Sequence, residues 1–190
     1  KVYDGVSGES YDDKAVVLHI SLPDDKIASL GIVNIFDVDE SDAKIEFMED
    51  ALSVKKCLVN GEEVNFADYI ENNKIDTRLP LVADYNSVLV NVSSKNISEK
   101  DRRVDLYAPV FKSSIYRFAK PVEDYVSSFG ENLKGFDDIQ PVFSCNCILN
   151  YLYGKLEGKA IPPFAGPVTF GEIAYQLLNQ TLVYACIIDK

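Results

Sequence analysis

Tryptophan is missing from this 190-residue chain, and methionine and histidine occur once each. The single histidine, His19, leaves little room for imidazole catalysis or a histidine-rich metal site. Cysteine is scarce too, with four residues at 57, 145, 147 and 186. So few in a chain of this length do not make a disulfide framework. Basic residues are in the minority: 19 Lys and Arg against 30 Asp and Glu give a formal net charge of −11. Nucleic-acid binding needs clustered cations, and the densest stretch, Lys100 to Arg103, is broken by Asp101. The late apolar run from Leu182 to Ile188 is far short of the ~20 residues that cross a bilayer. No glycine-rich run ends in Lys-Ser or Lys-Thr, and no Gly-x-Ser-x-Gly occurs. A phosphate loop and a hydrolase nucleophile elbow are therefore not expected. Lys1 to Gly5 lacks the apolar core of a signal peptide. Three cysteines lie in apolar runs, where a thiol acts as a small core residue. These features suggest a reducing, cytoplasmic setting.

The chain does carry the makings of a core. Hydrophobic residues are 47% and charged residues 26%, the balance of a folded protein of one large domain or two halves sharing a core. After a loop of about a dozen residues, Ala15 to Leu22 reads as a strand ending at Pro23, followed by strands over Leu30 to Val38 and Lys44 to Met48. Val54 to Val59 is a strand leading into the tight turn Asn60-Gly61. Asn65 suits a helix cap, with Phe66, Tyr69 and Ile70 at i, i+3 and i+4. Ser87 to Val92 is a strand, Ser93 to Arg103 a polar loop, and Val104 to Phe111 with Ser114 to Ala119 a hairpin. Pro121 opens a helix whose stripe is Val122, Tyr125, Val126, Phe129 and Leu133, ended by Gly135. Ile139 to Ser144 is a strand. Cys147 to Leu156 is a helix with Ile148, Leu152 and Leu156 on one face. Phe170 to Leu178 fits helix or loop, and Thr181 to Ile188 is a strand. Strands outnumber helices and neighbour one another, so the fold class is α+β with a mainly antiparallel sheet flanked by a few helices.

Several constellations invite chemistry. The acidic run Asp37 to Asp42 lacks the glycine and bidentate glutamate of a calcium loop, since Asp42 and Met48 stand there; a solvated turn is expected. Cys145-Asn146-Cys147 is half a zinc site without the other half. Cys145, at a strand-to-helix junction, also fits a cysteine nucleophile of a hydrolase or transferase, but its base would have to be the distant His19. The segment Gly166 to Ile173 is different. Glu172 is the only charge between Phe164 and Ile188, and a buried carboxylate needs a partner. Beside two permissive glycines it suits a ligand's amine or hydroxyl. It equally suits a plain role in which Gly171 makes a turn and Glu172 caps a helix or holds a neighbouring loop.

Phe143-Ser144-Cys145, then Gly166 through Gly171-Glu172-Ile173, then Asn179-Gln180-Thr181 before a last strand, together resemble the C-terminal part of the FIST sensory-domain family. The similarity is clearest from about Gln140 to Ile188 and reaches back loosely to about Ala51. It implies a ligand-binding domain over 51–190, with 1–50 a β-rich segment packed on it. It further implies a sensory module of bacterial signal transduction that binds amino acids or related small polar molecules. Carried over by position, Cys145, Gly166, Phe170, Gly171, Glu172, Asn179 and Thr181 become pocket candidates, and Asn146 adds a polar neighbour. Some relatives bind haem, but no histidine lies in the matching region, so no haem, other cofactor or metal is expected. Expected partners are a small molecule and a signalling protein or a second copy, with no nucleic acid and no membrane.

Overall fold

Local chemistry sets the first turns. Asn60 and Gly61 both take positive φ, +50° and +87°, the backbone of a two-residue hairpin whose twist matches its strands. Five residues later the Asn65 side chain accepts a hydrogen bond from the Asp68 amide at 3.0 Å, capping a helix that buries Phe66, Ala67 and Ile70. Replacing Asn65 with Ala is expected to cost about 1 kcal/mol, read as a lower urea midpoint at unchanged slope.

The computed structural model describes residues 1–85, 88–132 and 140–190. In chain order they hold β1 (Val2–Tyr3), β2 (Ser10–Tyr11), β3 (Lys26–Val33), β4 (Ile45–Glu46), β5 (Ala51–Val54), β6 (Lys56–Val59) and β7 (Glu62–Asn65). Helix α1 (Phe66–Asn72) precedes β8 (Leu81–Asp84), β9 (Leu89–Val92), β10 (Ser94–Ser98), β11 (Arg103–Val110) and β12 (Ile115–Phe118). Then come α2 (Tyr125–Asn132), β13 (Pro141–Cys147), α3 (Ile148–Tyr153), β14 (Val168–Thr169), β15 (Glu172–Ala174), β16 (Gln176–Leu178) and β17 (Leu182–Asp189). The fold is α+β with mainly antiparallel sheets.

Three sheets carry the architecture, in the orders β10-β11-β5, β7-β6-β4-β12-β8-β9 and β14-β13-β17-β3. The first two and α1 enclose one core, where Phe47 meets Phe66 and Tyr116 edge-on at 5.4 and 5.3 Å. A second core packs Phe36, Phe129, Leu182 and Tyr184 between the third sheet and α2. A smaller one joins Cys145, Ala174, Leu178 and Val183 to Val90. Among the described residues, no helix is long and apolar enough to cross a membrane.

Several expectations need correction. Residues 15–22 form no ladder; the turn closed by Lys26 N–H on the Pro23 carbonyl does not lay them along the neighbouring edge of β3. The opening loop contains the short β1–β2 ladder. The segments 104–111 and 114–119 are strands but not a hairpin, because β11 pairs with β10 and β5 while β12 pairs with β4 and β8. The chain changes sheets at the turn closed by Ser114 N–H on the Phe111 carbonyl. Polar Ser94 to Ser98 is the edge strand β10, where one side meets water. Helix α2 starts at Tyr125 rather than Pro121, since Asp124 accepts from the Val126 and Ser127 amides. Helix α3 stops at Gly154 and buries Leu149 and Asn150, leaving Leu152 exposed. The ambiguous stretch after Phe170 is the β15–β16 hairpin. Ser87, Leu133, Gly135 and Ile139 lie outside the described residues.

Candidate functional site

The third sheet builds the site around β13. On one side β13 pairs antiparallel with β17, and on the other it pairs parallel with β14 through Asn146 and Val168. The Asn146 amide donates to the Pro167 carbonyl at 3.0 Å, drawing the chain before β14 tightly along β13. Gly166 makes this possible. A Cβ there would stand 1.5 Å from the Ser144 carbonyl oxygen, so only glycine lets the two backbones meet. The close approach serves chain against chain.

Between β13, the end of α3 and the loop back to Gly166 lies a cleft of about 350 Å³. Ser144, Cys145 and Asn146 line it from the sheet, Tyr151 and Lys159 from the helix and loop, and Leu156, Phe164 and Leu182 give it an apolar wall. Phe164 is fixed against Tyr184, ring centroids 5.1 Å apart. The Asn146 side-chain oxygen accepts from the Asn150 amide group at 3.0 Å, which orients it.

Glu172 does not line this cleft. It is 1% exposed, and its Oε1 accepts from the Thr181 amide at 2.9 Å and the Thr181 hydroxyl at 2.7 Å. Its Oε2 has no hydrogen-bond partner among the described residues. Burial pushes its pKa above the ordinary glutamate value, and the two Thr181 bonds oppose that rise. The Cys147 thiol is pushed up to about 11, first by burial and then by the Glu172 charge. The Cys145 thiol is also raised, chiefly by burial.

The expected site residues thus divide. Cys145, Asn146 and Gly166 meet at the cleft. Glu172 and Thr181 bond to each other. Asn179 accepts from the Ser93 amide at 3.3 Å and donates to the Leu178 carbonyl at 2.8 Å. Gly171 leads into β15, and Phe170 stands 93% exposed, away from any wall of the cleft. Ser144, Tyr151 and Lys159 also line the cleft, and no sequence motif marks Tyr151 or Lys159. Gln180 is equally unmarked; its side chain accepts from the Ser93 hydroxyl at 2.7 Å and donates to the Arg78 carbonyl at 3.1 Å. Asn91 joins this network by donating to the Gln180 carbonyl at 3.4 Å, and it exchanges reciprocal bonds with Asn34 at 3.0 and 2.9 Å. Its signal was present: one amide side chain inside the apolar run Val88 to Val92.

A sequence model of the family of unknown function DUF6976 matches residues 1–188, almost the whole chain. The chain belongs to DUF6976. No curated protein and no solved structure matches it. This assignment overturns the resemblance to the FIST family. The geometry explains how short motifs misled. In this DUF6976 chain Gly166 is required by the Ser144 carbonyl, and Glu172 by Thr181. Glycine and glutamate at that spacing answer needs of the local backbone here.

Proposed function

We propose that this protein is a small-molecule-binding module, and that the cleft over Ser144 to Asn146 is its site. The observation that carries the reading is the pairing of an apolar wall with a few convergent polar groups in about 350 Å³, within the range typical of ligand pockets. Lys159 supplies the one cation among the lining residues. The ligand class that fits is a small carboxylate-bearing molecule, amino acids included, with an apolar body lying on Leu156, Phe164 and Leu182. Lys159 would hold the carboxylate, while Ser144, Asn146 and Tyr151 would exchange hydrogen bonds with polar substituents. Cysteine chemistry at Cys145 finds less support: its thiol is raised rather than activated, and His19 sits exposed in the unpaired stretch after β2. A reducing compartment, the cytoplasm, suits four buried free thiols.

The test is a thermal-shift screen of amino acids and small carboxylates on the wild type and on Lys159→Glu. Lys159 is exposed and its charge acts on Asp124 ahead of α2, so unchanged circular dichroism of the variant is the control. A ligand at about a hundred times its dissociation constant should stabilise the wild type by roughly 2.7 kcal/mol. Lys159→Glu should lose most of that shift. A hit that stabilises both proteins equally would place the binding elsewhere.

A further inference from the structure

Residues 15–22, Ala-Val-Val-Leu-His-Ile-Ser-Leu, have a strong β pattern and no ladder. Val16, Val17, Leu18 and Ile20 are 76%, 83%, 80% and 59% exposed. Scattered apolar side chains on a surface are ordinary, but a run of them on unpaired backbone is an adhesive strand. The same chain offers a matching edge. β3 is the end strand of the order β14-β13-β17-β3. Ile27 and Leu30 on it are exposed, as are Ile187 and Ile188 on the neighbouring β17.

The turn between arm and edge keeps them apart within one chain. Lys26 N–H donates to the Pro23 carbonyl at 3.0 Å. A two-residue hairpin would also need an N–H at position 23, and proline has none. Asp24 and Asp25 are not among the residues with positive φ, so this is not one of the primed turns whose twist lays two strands side by side. Other turns splay them. The arm therefore leads away from its own β3.

We propose that residues 15–22 of one copy add as a strand to the free edge of β3 in a second copy, reciprocally, giving an arm-exchanged dimer. Lengths agree, since the arm has eight residues and β3 has eight, each spanning about 26 Å at ~3.3 Å per residue. Charge selects the same surfaces. Two chains of net charge −11 repel unless they touch where charge is absent. No Asp, Glu, Lys or Arg occurs from Ala15 to Leu22 or from Ile27 to Phe36. Asp12 and Asp13 before the arm and Asp24 and Asp25 after it confine pairing to those eight residues. The symmetry is isologous, each copy giving one arm and taking one.

Light scattering on the full chain tests this, with Val17→Asp to disable the arm and Leu30→Asp to disable the edge. Both side chains are exposed, and unchanged circular dichroism confirms the fold. The wild type should run at twice the mass of one chain, and each variant should dissociate at least about tenfold more readily. Mixing the two variants should partly restore the dimer, because Val17→Asp keeps an intact edge and Leu30→Asp an intact arm. A monomeric wild type would overturn the proposal. So would a dimer that survives Val17→Asp, or variants whose mixture gains nothing.

Discussion

Gly166→Ala is expected to lower the urea midpoint sharply and, with it, to abolish the ligand binding proposed for the cleft. The added methyl would meet the Ser144 carbonyl oxygen at 1.5 Å and its carbon at 2.4 Å. Both are backbone atoms in the middle of β13, where Ser144 pairs with Tyr184 of β17 and β14 takes over the other side at Asn146, so neither can turn aside as a side chain would. The strand before β14 must lift off β13, losing the bond from the Asn146 amide to Pro167 and displacing one wall of the cleft. Overpacking of this kind costs about 1–3 kcal/mol, and more where rigid backbone is struck. Gly130→Ala is the control. A methyl there meets nothing within 4 Å, and removing glycine from α2 should stabilise by about 0.5–1 kcal/mol.

Glu172 carries the second large effect, and the part due to its charge grows with pH. Glu172→Ala leaves the buried Thr181 amide and hydroxyl without their acceptor, at about 1–3 kcal/mol per orphaned group, with a cavity cost added. Glu172→Gln keeps an oxygen for Thr181 and removes the charge. Burial raises the folded pKa of Glu172 above its unfolded value, so the folded chain holds this proton more tightly. Stability from that proton is complete at low pH and is lost as pH rises through the folded pKa. Wild type and Glu172→Gln should therefore melt close together near about pH 4, with Gln gaining on Glu as pH rises toward about 8. Melting curves across that interval check it. A gap that shrinks with rising pH would mean the carboxylate is stabilised in its charged form.

These effects also show what was legible beforehand. Asn60-Gly61 and Asn65 act within a few residues of themselves, so their turn and cap could be read directly. Strand pairing is a choice among distant partners, and nothing local to Val104 to Ala119 says that its two strands enter different sheets. The strand pattern of Ala15 to Leu22 was equally visible, but pattern does not say which edge a strand takes. Helix α3 misled because Asn150, an amide, is buried, while Leu152, the apolar residue on the expected face, is exposed. At the site, an isolated Glu172 in an apolar stretch pointed to a partner, and the partner is Thr181 nine residues on. Lys159 and Tyr151 drew no notice because their meeting with Cys145 depends on the loop that folds back to Gly166.

The most direct measurement is an amide-resolved NMR titration of the uniformly 15N-labelled chain with L-amino acids and small carboxylates. A binder with a dissociation constant of about 1 mM (about −4 kcal/mol) is strong enough to see. Shifts should concentrate at Ser144, Cys145 and Asn146 and along Lys159 to Gly166, saturating with one ligand per chain. Spectra unchanged by every compound, or shifts centred on residues remote from β13, would contradict it.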